Sequence, residues 1–242
     1  EDYYITFTEA TKYTMLGNLK GDFSLYKRAI GLYSLCIEQY PDKAAPYYQI
    51  SSIYLNVNEI GLAKEYAKSA VSINDTNKWY VLQLASIYQY EKNIDSLVYV
   101  YEKLVKVTDR AEYKYNLALF YNANGSYEKS MKLANELNES IEGTRELHII
   151  RHRNYAAMQM TDSAVVELEL LVDAFPDNFE SYGMLAEYLS EINRFKEAQL
   201  VYKQLLEREP DNGLANLSYG DYYLKRLMRN SALVYYIRGF RT

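Results

Sequence analysis

The chain has 242 residues, 49% of them apolar and 24% charged, with only 4 Pro and 10 Gly, a composition that fits a folded, mostly helical protein and excludes a disordered one. A net charge of −5 and a pI near 5.3 argue against a general nucleic-acid binder, which needs a basic face to replace phosphate counterions; basic or neutral peptides are easier partners. The single cysteine, Cys36, excludes an intrachain disulfide and a cysteine-based metal cluster, and no apolar run is long enough to give a transmembrane segment.

The chain opens on Glu1-Asp2-Tyr3-Tyr4, without an initiator Met or a leader, which predicts a trimmed N-terminus. Pro176-Asp177-Asn178 returns as Pro210-Asp211-Asn212, a step of 210 − 176 = 34 residues, and Pro41-Asp42-Lys43 stands four such steps less one residue upstream. A helix breaker at that period predicts stacked helix-turn-helix units, about seven of them, in which length counts repeats instead of domains.

In the first unit, 10–43, Tyr13, Leu16 and Gly17 occupy one helix and Ala29 and Tyr33 the next, closed by Pro41; Lys20 replaces an expected aromatic. The second, 44–77, offers Tyr47, Ile50, Ser51 and Tyr54, then Ala63 and Ala67, and ends on the turn-forming Asn74-Asp75-Thr76-Asn77. The third, 78–110, has Val81, Leu84, Ala85 and Tyr88, then Leu97 and Tyr101. The fourth, 111–144, has Leu117, Ala118 and Tyr121, then Ser130 and Ala134, with Gly125 at its internal turn.

The fifth, 145–178, departs from the pattern: Arg151 and His152 stand where Leu and a small residue are expected, although Ala164, Leu168 and Pro176 are regular. A bend is expected over 138–145, with a boundary near Gly143. The sixth, 179–212, carries Tyr182, Leu185, Ala186, Ala198, Tyr202 and Pro210. The seventh, 213–242, carries Tyr219, Gly220, Tyr223, Ala232 and Tyr236 with Leu217 shifted, and reads as truncated, leaving Leu233, Val234 and Ile237 open to self-association.

These slots resemble the tetratricopeptide repeat family over nearly the whole chain. The resemblance implies an all-α, right-handed α-solenoid of about seven repeats and fourteen helices, working as a non-enzymatic protein-protein interaction scaffold. It also implies that the first helix of each unit lines a concave groove. On this sequence the exposed groove positions are Tyr48, Gln49, Ser52 and Asn56, then Trp79, Gln83, Ser86 and Tyr90, then Tyr115, Asn116 and Asn122. An aromatic, amide-rich lining suits an extended peptide or partner helix, since amides pair with backbone groups and rings supply apolar area at low entropy cost. A glycan-binding component using the same rings, or a regulatory sensor domain of a longer protein, is the alternative. The carboxylate clamp of chaperone-binding family members is matched here only by Asn18.

The tyrosine content, 28 residues, and the stretch from Trp79 to Ala85 look similar to tetratricopeptide modules of bacterial cell-envelope lipoproteins, which implies a periplasmic or outer-membrane-associated setting, with a cytoplasmic one as the alternative. His148 and His152 are spaced to share a helical face, but Ile149 stands where a zinc-protease motif needs glutamate. They read as packing residues, with no metal and no cofactor expected. Arg145, Arg151 and Arg153 form a candidate anion spot. No phosphate loop or nucleophile elbow is present, so no enzyme is expected.

Overall fold

The computed structural model describes residues 2–140 and 144–241, without the side chains of 2, 139 and 140. Among the described residues the protein is all-α, with fourteen helices and no strand. In chain order these are α1 (Asp2–Lys20), α2 (Phe23–Gln39), α3 (Ala44–Asn56), α4 (Ile60–Ile73), α5 (Lys78–Tyr90), α6 (Ile94–Thr108), α7 (Ala111–Ala123), α8 (Tyr127–Ser140), α9 (Arg145–Ala157), α10 (Thr161–Ala174), α11 (Phe179–Glu191), α12 (Phe195–Arg208), α13 (Gly213–Lys225) and α14 (Arg229–Arg241). The fold is a helical-repeat solenoid of the tetratricopeptide type.

The punctuation is chemical. After the Pro that ends a second helix, Asn caps the next first helix: Asn178 Oδ1 accepts from the Ser181 N–H at 3.1 Å and Asn212 Oδ1 from the Ala215 N–H at 2.9 Å. Asn77 does the same for α5, accepting from the Trp79 N–H at 3.0 Å. The turns inside the helix pairs share a different device, one residue at positive φ. It falls on Gly21, Asn58, Lys92, Gly125, Gln159, Asn193 and Leu227, with φ between 53° and 83°. Only two of the seven are glycine, so this second periodicity is hidden in the amino-acid letters.

The chain forms two compact units, Glu1–Asn124 and Gly125–Thr242. In the first unit each helix packs on its sequence neighbour, from α1 on α2 to α6 on α7. Ala10, Tyr26, Ala29, Tyr33, Ile50 and Ile53 form a cluster around the first helices. In the second unit α9 packs on α10, α11 on α12 and α13 on α14, and a cluster runs from Val165 and Leu168 through Leu185 and Leu189 to Tyr202, Tyr219 and Tyr222. The bend expected over 138–145 includes residues 141–143, which lie outside the described residues, as does its boundary at Gly143.

The small slots do what close packing requires. A Cβ on Gly17 would lie 2.8 Å from the Tyr26 ring, and one on Gly220 would lie 2.7 Å from the Tyr236 ring. Ser51 is fully buried and donates to the Ala63 carbonyl at 2.8 Å, tying α3 to α4. Cys36 is buried as a free thiol, and burial raises its pKa.

Candidate functional site

Residues spaced by 3, 4, 7 and 11 share one helical face. On α5 this places Trp79, Gln83, Ser86 and Tyr90 in a single stripe within roughly 60° of arc. The two rings at its ends are open, Trp79 at 59% and Tyr90 at 68% exposure. The Lys78 ammonium lies 4.8 Å from the Trp79 ring centroid, a contact that leaves the ring in solvent. Tyr48 is half-buried and packs on Tyr80 with centroids 5.0 Å apart, so it is partly a spacer between first helices.

The amides are divided between roles. Gln83 Nε2 donates to Ser52 Oγ at 2.6 Å, and Ser52 Oγ donates to the Tyr48 carbonyl at 3.1 Å, which joins α5 to α3. Gln83 Oε1 is buried without a hydrogen-bond partner. Asn56 Nδ2 donates to Asn18 Oδ1 at 3.2 Å, and the Tyr26 hydroxyl donates to the same oxygen at 2.9 Å. Part of the amide set is therefore engaged in holding neighbouring first helices in register. Gln49, Tyr115, Asn116 and Asn122 are half-buried, and Ser86 is exposed with its hydroxyl donating to the Gln83 carbonyl at 2.8 Å.

Helix α9 disperses the three arginines. Arg145 Nη2 pairs with Glu180 Oε2 at 2.6 Å. Arg151 and Arg153 are two residues apart, which turns them roughly 200° from each other about the helix axis; Arg151 is half-buried and Arg153 exposed. The histidines pack against α10: His152 Nδ1 lies 3.0 Å from the Ala164 carbonyl oxygen, so that nitrogen carries the proton and donates, and His148 Nδ1 lies 3.0 Å from Glu167 Oε2. Tyr188 meets the His152 ring edge-on at 4.6 Å. Burial lowers the pKa of His152 and favours its neutral form. No group of three or more metal-ligating side chains occurs among the described residues.

The stripe of α5 has counterparts in the second unit that the sequence reading passed over. Moving Trp79, Gln83, Ser86 and Tyr90 to the same slots of α11 gives Glu180, Met184, Glu187 and Glu191, and of α13 gives Leu214, Ser218, Asp221 and Lys225. All eight line two contiguous concavities of 470 and 360 Å³ between α11 and α13, which share Glu187, Tyr202 and Ser218. The Ser218 hydroxyl bridges the helices, donating to Glu187 Oε1 at 2.7 Å, and the Tyr236 hydroxyl donates to Asp221 Oδ1 at 2.5 Å. Burial raises the Tyr202 phenol well above its ordinary pKa, and the nearby Glu187 charge raises it further. Extending the slot projection through the last two repeats would have found this acidic face.

Residues 44–77 and 179–212 match the family model described as tetratricopeptide repeat. A curated relative, the nematode (Caenorhabditis elegans) BBSome complex member bbs-4, is 24% identical over 231 residues, covering 90% of this chain and 47% of the relative. The chain thus spans about half of that relative's length. Among solved structures, the Naa15/Naa10 complex bound to HypK-THB contains a chain similar in fold, with a TM-score of 0.72 at 19% identity, over 94% of this chain and 34% of that one. A tetratricopeptide repeat protein from Parabacteroides merdae aligns with a TM-score of 0.57 at 14% identity, over 99% of this chain and 93% of that one.

Proposed function

We propose that this chain is a non-catalytic scaffold that holds a segment of a partner protein on the exposed face of its first helices. The observation that carries the proposal is the α5 stripe: Trp79 and Tyr90 keep 59% and 68% exposure on one face, while rings such as Tyr33, Tyr202 and Tyr219 are used up in the core. Covering a large ring contributes about 1.5–3 kcal/mol, so two open rings on a rigid helix form an anchor pair of the kind that dominates interfaces. The surface is held in shape by the Gln83–Ser52 and Asn56–Asn18 contacts, so the ligand bears most of the ordering cost.

The similarity to a named complex member supports the role of a subunit in a multi-protein assembly. That relative does not support the periplasmic or outer-membrane setting implied by the resemblance to envelope modules. No helix among the described residues is long and apolar enough to cross a membrane. Self-association through Leu233 and Ile237, both exposed on α14, is compatible with a subunit role.

The test is capture from native extract with the intact chain and with Trp79→Ala plus Tyr90→Ala. Both side chains are largely in solvent, so the variant keeps its helicity. Proteins held by the intact chain and lost by the variant are the expected result; unchanged retention would remove α5 as the site, and retention of oligosaccharide in place of protein would favour the glycan reading.

A further inference from the structure

The groove between α11 and α13 differs from the α5 stripe in one respect that bears on its occupant. The α5 slots carry no charge, so charge is not a general requirement of the first-helix face. In the second unit the same slots hold Glu187, Glu191 and Asp221, and none of these three forms an ion pair among the described residues. Resting on the reading of first-helix faces as binding surfaces, we propose that this groove takes a basic protein segment, its Lys or Arg side chains meeting those carboxylates and its apolar residues lying on Met184, Leu214 and Leu224.

A further observation favours an occupant over a merely solvated face: Leu214, at the α13 N-terminal end of the groove, is 80% exposed, an apolar residue in a slot where a solvated face would be polar. Helix α11 packs on α13 directly, so the floor is continuous. Along helices of this length the groove runs roughly 18 Å, room for about twelve helical or five to six extended residues of ligand. Glu180 is discounted because Arg145 neutralises it at 2.6 Å, and Lys225 sits at one end of the groove, where it would orient an incoming segment by repelling its most basic end. An acidic segment would instead meet three like charges, which costs affinity and slows encounter.

The experiment probes the whole chain on an array of random twelve-residue peptides, comparing the wild type with Glu187→Gln, Glu191→Gln and Asp221→Asn combined. A matched variant, Glu128→Gln, Glu136→Gln and Asp173→Asn, changes net charge equally outside the groove, and circular dichroism checks that both keep wild-type helicity. Bound peptides enriched in Lys and Arg, with the enrichment lost and affinity for the best peptide down about tenfold only in the groove variant at low salt, are expected. Wild-type binding without basic enrichment, or a groove variant that behaves like the matched one, overturns the charge assignment while leaving the binding face standing. If no peptide is retained at all, both the assignment and the binding-face reading fail. Wild-type self-association that the groove variant abolishes would make the occupant a second copy and overturn the proposal in that form.

Discussion

Leu227 shows how much a single residue can carry that its type conceals. It stands at φ 59° in the last intra-repeat turn and is 82% exposed, so its side chain gains nothing there while its Cβ is strained. Leu227→Gly is therefore expected to stabilise the protein by about 1 kcal/mol, read as a higher midpoint in urea. Gly220 is the opposite case. A Cβ there meets the Tyr236 ring at 2.7 Å, and moving that ring would also strain its bond to Asp221, so Gly220→Ala should cost about 1–3 kcal/mol. Trp79 is the chain's only tryptophan, and its exposure predicts red-shifted emission that acrylamide quenches in the folded state. Protected, blue-shifted emission would contradict the placement of the α5 stripe.

At the level of elements, α9 is a first helix that packs closely on the second helix of its pair. Its histidines face α10, and burial depresses the His152 pKa below the ordinary 6.5. The folded state then binds fewer protons than the unfolded state in the window just below pH 6.5, so stability is full above that value and falls as pH drops through the window. The groups facing His152 work in both directions, Arg153 with the depression and Glu191 and Glu167 against it. Thermal melts at pH 7.5 and pH 5.5 are expected to show lower stability in acid, with a smaller loss in His152→Gln; an equal loss in that variant would assign the effect elsewhere. The caps are testable in the same way. Asn178→Ala removes the acceptor for the Ser181 N–H and should cost about 1 kcal/mol.

At the scale of the molecule, energies in a repeat array act between neighbours. The stabilising effect of Leu227→Gly is therefore expected in the helical signal, with little movement of the Trp79 fluorescence transition many repeats away. A common shift of both signals would instead mean cooperative unfolding of all the repeats.

The fold class was legible in the sequence because packing slots and helix-ending turns carry strong residue preferences: small residues where helices touch, as at Gly17 and Gly220, and Pro with Asn where one helix stops and the next is capped. These are short-range demands, met within a few residues of chain. The αL turns escaped notice because Asn58, Lys92, Gln159, Asn193 and Leu227 share only a backbone angle. Which polar side chains remain available to a ligand was decided by tertiary structure alone. Gln83 and Asn56 read as groove amides in the sequence, and helices 31 and 38 residues away supply Ser52 and Asn18 as their partners; Arg145 reads as an anion ligand, and Glu180 pairs with it. Sequence by itself determined where helices begin, end and approach one another; only their assembly decided which polar groups are satisfied within the chain and which, like Glu187, Glu191 and Asp221, stay without an ion pair, because hydrogen-bond and ion-pair partners come from distant repeats and obey distance instead of periodicity.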